Sequence, residues 1–309
     1  MGRQKRGRDV SGIVLLDKPR GASSNRALQT VKRLYGARKA GHTGSLDPMA
    51  TGVLPLCLGE ATKFSQYLLN ADKAYQATIR LGEQTDTGDA EGEVIARCDT
   101  TALTRAQAES VLPQFVGEID QVPPMYSALK VDGQPLYKLA RQGIEIERKA
   151  RRITIYKLVM TAFRPGPQAE LDIEVECSKG TYIRTLAEDI AAALGDLGGH
   201  LVMLRRTRVG IFSIADCHDL AALQQQHDTA GETALDQWLI APEQAVNHLP
   251  GVAVSVDTGY YVRRGQAVRV AGAPPHGLVR IHQEDGVFLG IGEILDDGRI
   301  APRRLVVAA

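Results

Sequence analysis

Gly41-His42-Thr43-Gly44-Ser45-Leu46-Asp47-Pro48-Met49-Ala50-Thr51-Gly52-Val53-Leu54 is the stretch on which the reading of this chain turns. Asp47 precedes Pro48, and a residue before proline is pushed out of the helical region. Gly41, Gly44 and Gly52 permit tight turns and let backbone come close to a ligand. The stretch is too rich in breakers for a regular element, so it predicts a loop over 41–52 feeding a buried strand at Val53–Leu58. A carboxylate on such a loop can attack a glycosidic carbon or an electrophilic ring carbon. Taken alone, Asp47 reads first as an Asx-turn or a helix cap.

Working outward, Gly12 to Lys18-Pro19 is a short apolar run ended by a turn signal, which predicts a strand. Ser23 or Ser24 caps a helix carrying Ala27, Leu28, Val31 and Leu34, stopped near Gly36. Helices are expected over Glu60–Leu69, Arg105–Phe115, Tyr182–Leu194 and Trp238–Val246, and strands at Tyr75–Leu81, Ile153–Phe163, Ala169–Cys177 and about His200–Val209. Thr85–Gly92 is a polar turn with Glu93–Ala96 pairing back. Pro123–Arg152 holds the hairpin-type turn Asp132-Gly133 and reads as a mobile or binding insertion. Helices and strands interleave without strict alternation. That predicts an α+β fold around a mixed, mainly antiparallel sheet.

Leu249-Pro250-Gly251 marks a boundary. Beyond it, Val252–Val256, Ala267–Val270, Gly277–His282, Val287–Glu293 and Arg303–Val307 predict a small β domain over 251–309. The expected organisation is a disordered basic extension over 1–10, a catalytic domain over 11–250 with an insertion at about 123–152, and this last domain.

Net charge is +1, but its distribution is uneven. Residues 1–40 carry +9 and the rest −8, with further basic runs at Arg148-Lys149-Ala150-Arg151-Arg152 and Arg205-Arg206-Thr207-Arg208. Such clusters suit phosphate binding, although solvated faces would look the same. The four cysteines stand far apart without a CxxC pair, so neither a zinc site nor a disulfide framework is suggested. No apolar run approaches the roughly 18 residues of a membrane span, and MGRQKRGRDVSG has no signal-peptide core. A cytoplasmic protein without membrane association is expected.

The opening stretch resembles the GHTGxLDPxATGxL signature of the TruB family of tRNA pseudouridine synthases. Other blocks are similar in the family's order. They are Gly12–Gly21, Lys73-Ala74-Tyr75, Gly82–Asp89, Pro123–Lys130, Gly180–Leu186, and Gly198-Gly199-His200 with Leu204-Arg205-Arg206-Thr207. Together they span about residues 11–250.

The resemblance implies the following roles. Asp47 is the nucleophile. Tyr75 stacks on a flipped base and its hydroxyl is placed to take the C5 proton. Arg184 pairs with the nucleophile, keeping it ionised and oriented. Tyr182 and Leu204 line the base pocket, Leu204 also reading as core. Lys63 and Lys18 make phosphate or structural contacts. His42, expected to be exposed, enters the RNA loop and fills the space of extruded nucleotides. Residues 252–309 look PUA-like. The implied reaction isomerises uridine-55 in the T-loop of tRNA, with no cofactor, in a stand-alone monomer whose partner is the T-arm stem-loop. A tRNA-folding chaperone that opens the elbow without catalysis is the alternative. A glycosidase releasing free uracil is a third reading.

Overall fold

A computed structural model describes residues 7–131 and 133–307. Its main element is a ten-stranded sheet. Eight strands lie in the order His218–Asp219, Gly12–Lys18, Thr51–Leu58, Gly199–Val209, Lys73–Leu81, Glu170–Cys177, Arg151–Arg164, Gly117–Gln121. Ala40–His42 also pairs with Thr51–Leu58, and Phe212–Ser213 with Gly199–Val209. Two pairings are parallel, Gly12–Lys18 with His218–Asp219 and Gly199–Val209 with Thr51–Leu58; the others are antiparallel. The sheet is therefore mixed and mainly antiparallel, and with its helices it makes the α+β fold expected.

Both faces of the sheet are covered, which explains the unbroken apolar runs in its strands. In Gly12–Lys18, Val14 and Leu16 face one core with Leu28, Val31, Leu186 and Ile190 from the helices Ser24–Leu34 and Ile183–Ala193. Ile13 and Leu15 face the other core, with Phe64, Leu68 and Val246.

The chain after Pro250 forms a separate four-stranded sheet, Gly251–Val254, Gly277–Gln283, Phe288–Ile294 and Ile300–Leu305, over its own core of Val254, Val262, Val279, Ile281 and Leu289. It also holds a helix, Val256–Arg263, which the strand reading did not foresee. Ser255 caps that helix by accepting from the Thr258 N–H, and Tyr260 and Tyr261 stay exposed on it. Val268 makes only an isolated bridge to Ile300 where a strand was expected.

Other differences have local causes. The helix expected over Glu60–Leu69 is a 3-10 turn, Gly59–Lys63, then a short α-helix, Ser65–Leu69. Phe64 separates them, fully buried against Phe288 at 5.5 Å between ring centroids. Trp238–Val246 is split because Pro242 opens a new 3-10 turn, Pro242–Val246. Leu220–Ala230 forms a helix that the periodicity had not exposed.

Of the expected disordered extension, residues 1–6 lie outside the described residues. Residues 7–10 are ordered: Arg8 pairs with Asp236 and bridges to Ala37, and Val10 is buried. Asp132 of the expected hairpin turn is also outside the described residues; Lys130–Val131 and Gln134–Pro135 pair on either side of it. No helix among the described residues is long and apolar enough to cross a membrane.

Candidate active site

The loop that carries Asp47 is held by its neighbours on both sides. Leu46, Met49 and Ala50 are buried. The Ser24 hydroxyl accepts from the Leu46 N–H at 2.8 Å and donates to the Leu46 carbonyl at 3.0 Å, so Ser23 is left to cap the helix. The Ala50 N–H closes a turn on the Asp47 carbonyl at 3.0 Å. The Lys18 ammonium, with no exposed surface, donates to the carbonyls of Pro19, Ala22 and Pro48 at 2.9, 2.6 and 3.4 Å. Gly52 is required where the loop joins its strand: φ is +102°, and a Cβ would collide with the Arg206 carbonyl.

Asp47 borders a pocket of about 520 Å³, a volume in the range of ligand sites. Arg184 Nη2 lies 3.2 Å from Asp47 Oδ2. Arg184 itself is buried, 6 % exposed at the start of Ile183–Ala193. It donates to the Thr87 carbonyl at 2.9 Å and the Tyr126 carbonyl at 2.6 Å, and lies 3.8 Å from Asp89 Oδ2. Asp89 is held in turn by the Thr87 hydroxyl at 2.8 Å and the Glu91 N–H at 3.0 Å. One guanidinium thus gathers the loop, the polar turn and the insertion.

Burial pushes the Asp47 carboxyl above its ordinary value; Arg184 opposes that shift, Asp89 adds to it, and Lys18 opposes it. Arg184 therefore limits the cost of burial and orients the group. Burial also raises the Tyr75 and Tyr182 hydroxyls, keeping both phenols neutral at pH 7.

Tyr75, Tyr182, Leu204 and His42 line the same pocket as Asp47 and Arg184. Tyr75 comes from the strand Lys73–Leu81 and stands opposite Arg206 in the register with Gly199–Val209. Tyr182 is fixed through its backbone by Gln121, whose amide accepts from the Tyr182 N–H at 2.7 Å and donates to its carbonyl at 3.0 Å. Leu204 lines the pocket and belongs to the core at once. His42 is half-buried rather than exposed, and its Nδ1 is buried without a partner. Burial lowers its pKa, and Arg206 lowers it further.

The two lysines lie elsewhere. Lys18 supports the loop from beneath, as described, because its ammonium is taken up by carbonyls. Lys63 ties the 3-10 turn Gly59–Lys63 to the end of the last strand: it pairs with Glu60 at 2.5 Å and donates to the Leu305 carbonyl at 2.8 Å, while Glu60 accepts from the Val307 N–H at 2.7 Å. Neither lines the pocket.

Sequence reading left Asp89, Gln121 and Lys73 without a role and counted Arg206 only in a basic run suited to phosphate, whereas in the structure Arg206 is buried and Arg205 and Arg208 are paired with Asp17 and Glu176. Asp89 closes the block Gly82–Asp89, Lys73 opens Lys73-Ala74-Tyr75, and Arg206 sits within Leu204–Thr207. Their place in those blocks was the available signal. Nothing in the spacing separates such charges from solvated ones. Among the described residues, no group of three or more His, Cys, Asp or Glu is placed to hold a metal ion.

Comparison with known proteins agrees with this architecture along the chain. Residues 32–183 match the model of the TruB family pseudouridylate synthase N-terminal domain. Residues 184–247 match the tRNA pseudouridylate synthase B C-terminal domain, and 250–306 the C-terminal domain of pseudouridine synthase II TruB. The chain is 56 % identical over 299 residues to tRNA pseudouridine synthase B of Pseudomonas aeruginosa, covering 97 % of each. It is 54 % identical over 299 residues to the protein of that name from Coxiella burnetii, covering 97 % of this chain and 96 % of the relative. Among solved structures, it superposes on a chain of a Cbf5-Nop10-Gar1 complex with a TM-score of 0.73 and 28 % identity, over 95 % of this chain and 84 % of the other.

Proposed function

Since this chain belongs to the TruB family of pseudouridine synthases, we propose that it isomerises uridine to pseudouridine in tRNA, at position 55 of the T-loop, with Asp47 as the nucleophile. The observation that carries the mechanism is the Asp47–Arg184 pair at 3.2 Å on a pocket lined by Tyr75. A loop uridine leaves its stack at less cost than one in a duplex. Its base enters the pocket beside Tyr75, Tyr182 and Leu204, and His42 sits beside it where the RNA loop enters. The Asp47 carboxylate attacks the target nucleotide. The bond from uracil N1 to the sugar breaks, the base turns, C5 takes its place on the sugar, and the bond to Asp47 breaks so that the carboxylate is returned. The C5 proton is lost and a proton is gained at N1, so the product has the mass of the substrate. Tyr75 stacks on the ring, and its hydroxyl, neutral in the free pocket, takes the C5 proton only by passing its own proton on.

The enzyme works as a monomer in the cytoplasm, and the chain divides functionally into the catalytic part over 11–250, with the insertion gripping RNA, and the PUA-like part over 251–309. The exposed Tyr260 and Tyr261, with Arg264 4.0 Å over the Tyr260 ring, support an RNA-binding surface on the latter.

The test is chemical mapping of pseudouridine in tRNA incubated with the protein. Modification at position 55 is expected, lost in Asp47→Asn with tRNA binding retained. Free uracil would show a hydrolase instead. Binding and refolding of tRNA with no modified base by the unaltered protein would leave the chaperone reading.

A further inference from the structure

Arg206 is among the largest fully buried side chains of the protein, 2 % exposed, yet it reaches the wall of the active-site pocket. Its position is set by the sheet. It stands opposite Tyr75 on one neighbouring strand and opposite Gly52 on the other. The absent side chain at Gly52 lets the backbone of Arg206 close onto the base of the Asp47 loop. The guanidinium is anchored at one corner, where Nε donates to the Val53 carbonyl at 2.7 Å. Nη1 extends toward Gly44, 3.5 Å from where a Cβ would stand. Nη2 is buried with no partner.

Among the described residues, no carboxylate lies within ion-pairing distance of this charge. That contrasts with the other cations of the pocket. Arg184 is matched by Asp47 and Asp89. Lys73 is enclosed by the carbonyls of Leu69 and Ala71 at 2.8 and 2.5 Å. A buried guanidinium cannot shed its proton, and leaving it without a counter-charge is costly. Burial lowers the pKa of His42, Lys18 and Lys73, and Arg206 lowers each further; burial raises Tyr75 and Cys217, and Arg206 opposes both shifts, at Tyr75 by charge and by a side-chain hydrogen bond to its hydroxyl. The pocket therefore holds a surplus of positive charge while its one lining carboxylate is paired elsewhere.

We propose that Arg206 is a fixed positive charge on the pocket wall whose counter-charge is the uracil ring itself, as that ring becomes anionic during the reaction. This rests on the function proposed above. The charge arises on either route. Attack at C1′ breaks the bond to N1 and leaves its electron pair on the departing uracil. Attack at C6 moves the ring double-bond electrons toward C5 and the C4 carbonyl. In both, the negative charge develops beside Tyr75, the cross-strand partner of Arg206. A charge already in place there needs no reorganisation as the anion forms. The absence of a protein carboxylate becomes intelligible, because a permanent counter-ion would cancel the field that the transition state uses.

The test compares two tRNA substrates in single-turnover reactions, one with uridine and one with 5-fluorouridine at the target position. Fluorine stabilises the uracil anion, so bond breaking depends less on an external cation. The loss of the target nucleotide's starting form is followed for the unaltered enzyme, R206M, R206Q and R206K. R206M and R206Q are expected to slow the uridine reaction about 100-fold. The fluorouridine reaction should slow by about tenfold or less, and R206K should restore the ratio of the two toward that of the unaltered enzyme. Both rates come from one preparation, so a misfolded fraction cancels in the ratio. Equal losses on the two substrates, or no loss on uridine, would overturn the proposal and make Arg206 a packing residue. If the unaltered enzyme forms no pseudouridine, it is the underlying function that fails.

Discussion

Arg184 and Asp47 meet at 3.2 Å although they lie 137 positions apart in the chain, and their contact joins the loop to the helix Ile183–Ala193 at the wall of the pocket. Arg184 is 7 % exposed at its side chain and Asp47 40 %, so the cation is the fixed member and the carboxylate the accessible one. That asymmetry suits a nucleophile that must reach a ligand while its charge is held from behind.

The pH dependence of the reaction should carry this pair's signature. Burial first, opposed by Arg184, sets the Asp47 carboxyl above its ordinary value. On the proposed mechanism the reaction uses the carboxylate, so activity should be lost as pH falls through that raised pKa. Removing Arg184 takes away a lowering influence. In Arg184→Met the acid limb of the single-turnover rate should move to higher pH, and the plateau should drop about 10- to 100-fold for the lost charged contact. Removing Asp89 takes away a raising influence, so Asp89→Asn should move the limb to lower pH. Limbs that do not move in these opposite directions would mean that another group titrates.

Gly52→Ala probes the joint between loop and sheet. The added methyl meets the Arg206 carbonyl, and φ of +102° is hostile to a side chain. A loss of about 2–4 kcal/mol is expected, read as a lower midpoint in thermal or urea unfolding. Slower modification should accompany it, because the strain falls on the Asp47 loop.

Lys18→Met should destabilise the protein by about 3 kcal/mol by leaving three carbonyls without their donor. Its pH dependence has a definite sign. Burial lowers the Lys18 pKa from 10.5 to about 8, with Asp47 opposing that shift. Between those values the unfolded chain holds the proton and the folded protein does not. The stability contribution tied to that shift is full above 10.5 and is lost as pH falls through about 8. The gap in stability between the unaltered protein and Lys18→Met should therefore widen from pH 8 to 10.5, measured by urea unfolding across that window.

Lys63→Ala tests the joint between the two domains. With the bond to the Leu305 carbonyl gone and Glu60 left without its cation, limited proteolysis around 247–251 should accelerate. Melting of the part built on the ten-stranded sheet should shift by about 1 kcal/mol or less. Unchanged cleavage would show that the other contacts across the joint, Phe64 against Phe288 and His282 with Glu243 at 3.2 Å, hold without Lys63.

Sequence alone determined much of this protein, for reasons that are local. Apolar runs such as Gly12–Leu16 and Val53–Leu58 announced buried strands, and the breakers around Asp47 announced a loop. The ordered blocks brought the family resemblance and, with it, Asp47, Tyr75, His42, Tyr182, Arg184 and Leu204 as one set, which the fold places around one pocket. What failed locally failed where competing packing decided the outcome, as at Phe64 and in the helix Val256–Arg263.

Charges were the least legible part. A lysine or arginine reads the same in sequence whether solvated, phosphate-binding or buried. Only the tertiary structure sent Lys63 to the domain joint, folded Lys18 beneath the loop, placed Asp89 behind Arg184, and buried Arg206 opposite Tyr75 without an anion. Electrostatic roles depend on distance and desolvation, which chain positions far apart supply jointly, and no spacing within one segment encodes them.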